Sequence, residues 1–253
     1  MDYRAPPSVE EELRMLAESH GRGPAPRIER IEIGSRAFWI KRPERLNWRF
    51  RLQKGNPRAA FERERIALRE MNAARAPVPD LCAEGADYIV LPDCGTDLRH
   101  LLHFEDDTMR RRALLLDAAG TLGRFHALGF SHGRPSPKDM CLSENGFVLL
   151  DFERYRHRNN TLRGHARDLV VFAFNVLAHS PNATEALPDA LAAYRERAPA
   201  GTWELAQQWC GRMRWAEWVT KPVQWRRGKH GREFKAIPHL FDLFLARAQS
   251  RDI

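Results

Sequence analysis

The spacing of apolar residues changes character near residue 95, and this change confines the chain to an α+β architecture in two parts. In RIERIEIGSRAFWIKRPE (27–44), Ile31 and Ile33 alternate with charged residues, Gly34 and Ser35 offer a turn, and a second apolar stretch ends on Lys41. Alternation with period two, interrupted by a turn pair, predicts a β-hairpin. DYIVLPDCG (87–95) reads as a further strand and turn. Beyond it the period is helical. Leu114, Leu115, Ala118, Leu122 and Phe125 share a broad face over 108–128, and 163–180 is apolar nearly all round from Leu169, as in a buried helix.

Helices are also expected in the first part. Residues 8–19 form a short amphipathic segment with Ser8 as N-cap and Glu11 completing a capping box. Residues 58–75 are rich in helix formers, with Phe61, Ala67, Leu68 and Met71 near helical spacing and Pro57 at the start. Further helices are predicted over 184–198, 202–220 and 237–249. The organisation is a strand-rich lobe over 1–95 and a helical lobe over 96–253, and a cleft between such parts is a common ligand site.

The net charge of +8 calls for an anionic partner or serves a solvated basic surface. Cys82, Cys94, Cys141 and Cys210 form no CxxC pair and no zinc-type cluster, so free thiols in a reducing compartment are expected. The N-terminus shows no apolar core of a signal peptide, and no apolar run nears the ~20 residues that span a bilayer. A cytoplasmic protein is expected, one that can lie at the inner-membrane surface.

Phosphoryl transfer needs cations to neutralise spreading charge, carboxylates to hold those cations, and a group that positions the acceptor. The chain offers these in a sensible order. Lys41 closes AFWIK, Glu64 lies in FERERIALREM, and SHGRPSPKDM (131–140) is followed by GFVLLDFE (146–153), where an apolar strand ends on Asp151. Taken singly, Lys41 and Glu64 are what solvated strand ends and helix faces carry, and Asp139 alone is a loop carboxylate. The joint order carries the reading.

That order, over about residues 27 to 180, resembles the protein-kinase-like superfamily, and within it the bacterial lipopolysaccharide-core and small-molecule kinase branch. FHALGFSHG before the loop, FERERIALREMNAARAPVP and YIVLPDCGTDLRHLL are similar to segments of that branch. The resemblance implies a two-lobed protein-kinase-like fold, with a small β-rich N-lobe and a helical C-lobe, using ATP and magnesium in lipopolysaccharide biosynthesis. It would place Lys41 on the nucleotide phosphates with Glu64 paired to it. Leu91, Asp93 and Cys94 would line the adenine pocket through backbone groups. Asp139 and Asp151 would be the metal ligands, Asp139 standing where the branch has asparagine, and Asp168 would brace the catalytic loop. His132 is read as a structural residue that hydrogen-bonds backbone.

Two departures from the branch pattern matter. The loop there often reads HGD, whereas this chain has Arg134 at the position of the acid that receives the acceptor hydroxyl. A guanidinium stays protonated and is no base. It can instead bind an anionic acceptor with its planar fork or stabilise transition-state charge, so Arg134 is grouped with Lys41 and Asp151 as a catalytic candidate. The opposing reading is a pseudokinase with a regulatory or binding role, in which Arg134 pairs with Asp139 or Asp151 and fills the metal site. The glycine-rich phosphate flap is also reduced, since IEIGSRAF holds one glycine.

Basic segments with interleaved aromatics occur at 46–54, with Trp48 and Phe50, and at 215–235, with Trp215, Trp218 and Trp225. Such composition suits an anionic membrane interface or an anionic sugar or glycolipid acceptor, and nucleic acid is the least favoured partner. Trp215 and Trp218, three apart, are expected to face inward, while QWRRGKHGR (224–232) is expected to be an exposed binding loop.

Overall fold

The structure, a computed structural model, describes residues 8–21, 26–44, 56–224 and 232–245. It is mixed α+β. The basic segment 46–54 and most of the loop 224–232 lie outside the described residues. Contacts divide the chain into two compact units. The first joins Met1–Cys94 with Asp151–Glu153, and the second joins Gly95–Leu150 with Arg154–Ile253.

In the first unit, α1 (Val9–His20) begins with the capping box read from the sequence: Ser8 Oγ accepts the Glu11 N–H, and the Ser8 N–H donates to the Glu11 carboxylate. The hairpin forms from β1 (Ile28–Ile33) and β2 (Arg36–Lys41) around Gly34, whose φ of +60° suits a residue without Cβ. With β3 (Ala83–Glu84) and β4 (Ile89–Pro92) it makes an antiparallel sheet of order β1-β2-β4-β3, with Ile28 opposite Lys41 and Trp39 opposite Leu91.

Side chains alternate across a strand. Phe38 and Ile40 of β2 therefore join Leu13 and Ala17 of α1, Ile31, Ala83, Tyr88 and Val90 in one core. The same alternation sends Trp39 and Lys41 to the other face. Helix α2 (Pro57–Ala73) starts with Asn56 as N-cap and Pro57 in the first turn, and it buries Phe61, Glu64, Ala67, Leu68 and Met71.

The second unit opens with a small sheet of β5 (Thr96–Asp97), β6 (Met140–Ser143) and β7 (Gly146–Leu149) in that order. Helices α3 (Leu98–Phe104), α4 (Thr108–Ala127), α5 (Leu162–His179), α6 (Leu187–Arg195), α7 (Thr202–Met213), α8 (Trp215–Gln224) and α9 (Arg232–Leu245) build the rest. α4 packs on α6, and α5 packs on α7 and α9. Leu115, Leu122, Phe125, Leu169, Phe172, Val176, Tyr194 and Phe244 fill its core. A Cβ on Gly123 would come within 2.8 Å of the Tyr194 carbonyl oxygen, so glycine there lets α4 and α6 approach closely.

Several expectations are corrected. Residues 202–220 do not form one helix: α7 and α8 meet at Arg214. The last helix starts at Arg232 and carries Pro238 in its interior, where the sequence had suggested a boundary. Trp215 and Trp218 face outward, 58% and 71% exposed, with Val219 beside them and the Lys221 ammonium 4.3 Å from the Trp218 ring centre. A spacing of three places two residues on one helix face. Which way that face looks is set by how α8 packs, and here it looks to solvent. The four cysteines are free thiols, as expected. Among the described residues no helix is long and apolar enough to cross a membrane.

Candidate functional site

Lys41 is the centre of a charged group in the first unit. Its Nζ donates to Glu64 Oε1 at 2.8 Å and lies 2.7 Å from Oε2 in the same ion pair. Glu64 is on the buried face of α2, 2% exposed, because position 64 repeats the helical register of Phe61, Leu68 and Met71. The solvated-face reading of ERER is thus overturned at this residue. Burial lifts the Glu64 carboxyl above the ordinary carboxylate range, and the Lys41 charge works in the opposite direction.

The segment Asp151–Glu153 adds two acids to the same group. Asp151 Oδ1 is 4.0 Å and Glu153 Oε1 is 3.6 Å from Lys41 Nζ. Glu153 also makes a close ion pair with Arg27, just before β1. Three carboxylates face one ammonium and one guanidinium, which leaves the group with one negative charge in excess. Asp151 itself has φ of +64°, a left-handed backbone rarely adopted by a residue with a side chain. Such strain concentrates at functional positions.

This donor set fits a magnesium ion that arrives with phosphates. Magnesium keeps several waters and takes one or two protein carboxylates rather than a full protein cage. Among the described residues no three or more His, Cys, Asp or Glu side chains are grouped to hold a metal by themselves. Asp151, partly exposed and held in a fixed backbone conformation, is the first-unit carboxylate best suited to that role.

Of the nucleotide-lining candidates, Leu91 lies in β4, and Asp93 and Cys94 follow its end. The Asp93 N–H donates to the Ala37 carbonyl at 2.9 Å, so that donor is committed to the sheet. The Asp93 carboxylate is 3.7 Å from Arg30 Nε, Leu91 pairs with Trp39, and the Cys94 thiol is buried and directed at the Pro92 carbonyl.

In the second unit the loop after α4 is held from beneath by Asp168 of α5. Asp168 Oδ2 accepts the His132 N–H at 2.6 Å, and both oxygens accept the Gly133 N–H, at 3.0 and 3.2 Å. His132 Nε2 donates to the Leu150 carbonyl at 2.7 Å, which fixes the loop to the end of β7. Gly133 has φ of +96°, and a Cβ there would sit 2.7 Å from the Arg154 carbonyl oxygen. Below the loop, His126 Nδ1 meets the Tyr194 hydroxyl at 2.6 Å and its ring stacks on His165. Burial lowers both imidazoles, His165 to about 4, and raises the Tyr194 phenol.

Asp139 is buried in a short 3-10 turn. Its carboxylate accepts the Ser136 hydroxyl at 2.7 Å and has Lys138 Nζ at 3.8 Å, while its carbonyl accepts the Leu150 N–H. Arg134 is exposed and makes no ion pair among the described residues.

The structure thus gathers Lys41, Glu64 and Asp151 in one unit, and Arg134, Asp139 and Asp168 in the loop region of the other. Sequence reasoning missed Glu153 and Arg27. The signal for Glu153 was available: it is the third residue of DFE, two after Asp151, at the end of a buried strand. Arg27 carried no signal beyond its position before the first strand.

No protein-family model matches the chain. The chain is 25% identical over 223 residues to an uncharacterized protein of Haemophilus influenzae, an alignment that covers 87% of this chain and 90% of that protein.

Proposed function

We propose that the chain is an ATP- and magnesium-dependent phosphotransferase of two-lobed protein-kinase-like architecture, resembling the lipopolysaccharide-core sugar kinases and acting on an envelope sugar or another small anionic acceptor. The observation that carries this reading is the Lys41 group: a strand amine held by a buried helix acid, with Asp151 brought beside it from 110 residues further along the chain.

Lys41 would bind the nucleotide phosphates, and Glu64 would keep its ammonium aimed. Asp151, and Asp139 from the loop, would hold magnesium. That ion supplies charge neutralisation for the phosphoryl oxygens. Leu91 and Cys94 would border the adenine through backbone groups, the Asp93 N–H being already committed. Arg134 would meet the acceptor. Loss of a general base forfeits about 10²–10⁴ in rate. Preorganised charge contributes much of what remains, so an arginine at this position is compatible with slow transfer. The reading at the membrane surface is supported by the outward Trp215 and Trp218 with Lys221 on α8.

The pseudokinase alternative is favoured by one observation, the absence of an acid at 134. Its device, an arginine that fills the metal site, finds no support in the ion pairs of Arg134 among the described residues.

Thermal shift with ATP, with and without magnesium, tests the proposal. Stabilisation should require the metal and vanish in Asp151→Ala and Lys41→Met. Arg134→Ala should keep nucleotide stabilisation and lose turnover. Stabilisation by ATP that ignores magnesium and survives both substitutions would contradict the assignment.

A further inference from the structure

The one glycine of IEIGSRAF, Gly34, turns the hairpin at the far end of β2 from Lys41. The strand between them runs roughly 17 Å at the usual rise per residue. Backbone N–H groups at that turn therefore cannot reach a phosphate held by Lys41. The near end of the hairpin carries a different donor. Ile28 lies opposite Lys41, and the Arg42 N–H donates to the Arg27 carbonyl at 2.7 Å, so the strand register sets Arg27 beside Lys41.

The two arginines at this end are used differently. Arg42 is buried and its guanidinium serves the fold, with Nη1 donating to Glu29 Oε2 at 3.1 Å and Nη2 to the Ala17 carbonyl at 3.0 Å. The Arg27 side chain is 38% exposed and pairs with Glu153 through Nη2. Its Nε is buried and has no hydrogen-bond partner among the described residues. Guanidinium donors form planar forks that match two oxygens of one phosphate. In Arg27 one donor is engaged and its neighbour is idle.

Glu153 Oε1 is the atom that touches both cations: it makes the close ion pair with Arg27 and lies 3.6 Å from Lys41 Nζ. A single oxygen between an ammonium and a guanidinium stands where a phosphate oxygen would stand. Lys41 is held more closely by Glu64, at 2.7 Å, so Glu153 is its looser partner. Arg27 and Glu153 are both more than a third exposed, and ion pairs of that kind add little stability, so this one opens readily. With Glu153 in place the group carries an excess negative charge that repels a polyphosphate. With Glu153 withdrawn, Lys41 and Arg27 stand against Glu64 and Asp151, and the excess is gone.

We infer that Arg27 is a phosphate-binding residue of the Lys41 group, and that Glu153 is a place-holding carboxylate that the phosphate displaces from both cations. The inference rests on the phosphotransferase reading only in taking that phosphate to be a nucleotide's.

Titration calorimetry of the full chain with magnesium and either ATP or inorganic tripolyphosphate tests it. Arg27→Gln should weaken both by about tenfold, as expected for losing a charge-assisted hydrogen bond. Arg27→Lys, which keeps the charge and loses the fork, should fall between. Glu153→Gln should tighten both by about threefold or more, since the competing charge is gone. The double variant separates a direct contact from an indirect one: in the Glu153→Gln background, Arg27→Gln should still weaken binding by about tenfold. Circular dichroism and melting temperature check that each variant keeps its fold. If tripolyphosphate binds with this dependence on Arg27 and ATP does not bind, the nucleotide reading falls and the phosphate site stands. If ATP binds in a manner that needs Lys41 and Asp151 but ignores Arg27→Gln, the inference falls and the nucleotide reading stands. Loss of the Arg27 effect in the Glu153→Gln background, weaker binding by Glu153→Gln, or no binding of either probe also overturns the inference.

Discussion

Lys41 faces three carboxylates, of which Glu64 is the deeply buried one. This asymmetry sets the energetics of the group. Removing the lysine strands an acid with no water to solvate it, whereas removing Glu64 leaves an ammonium that still has Asp151 and Glu153 nearby. Breaking a buried pair from one side costs about 3–5 kcal/mol. Lys41→Met is expected to destabilise the protein by about 3 kcal/mol near neutral pH, and by less in mild acid, where the already raised Glu64 carboxyl takes up a proton. Glu64→Gln should cost less, and Lys41→Met/Glu64→Gln should recover most of the loss. Denaturant unfolding of the four proteins measures this; additive losses would show that the two side chains do not act as a pair. The same residues show what a sequence makes legible at this scale. The register of Phe61, Leu68 and Met71 puts position 64 on the buried face, so Glu64 was readable by anyone counting turns. Arg27, whose partner lies 126 residues away, was not.

At the scale of elements, local pattern and long-range packing contributed differently. Capping boxes, turn glycines and alternation located α1, the hairpin, α2, α4 and α5. β5 and β6, of two and four residues, are too short to show a period, and they exist because the loop after α4 returns to pair with neighbours. The outward face of α8 is likewise a packing outcome that spacing alone does not contain. The contact of α4 with α5 carries a testable pH dependence through His126 and His165, which stack with Asp168 and Tyr194 beside them. Burial holds the folded-state value of His165 at about 4, below its ordinary 6.5. The unfolded chain therefore binds the proton first as pH falls, so stability is full above about pH 6.5 and is lost progressively towards pH 4. Melting temperature should drop between about pH 7 and pH 5, and His165→Gln should shrink that drop, with His126 accounting for part of the remainder. An unchanged drop in His165→Gln would place the pH sensitivity elsewhere.

For the molecule as a whole, net charge and local charge differ in sign. The Lys41 group of the first unit holds an excess of carboxylate, suited to a divalent cation. The net charge of +8 hinted at an anionic partner, and only the structure shows which charges gather at Lys41. The central claim is that the Lys41 group holds a triphosphate. A crystal structure of the full chain with magnesium and a non-hydrolysable ATP analogue tests it most directly. The account predicts phosphate oxygens within hydrogen-bond reach of Lys41 Nζ, the Lys41–Glu64 pair intact, and a metal ion on the Asp151 carboxylate. A nucleotide bound elsewhere, with Lys41 still engaged by Glu64 and Glu153 alone, would contradict it.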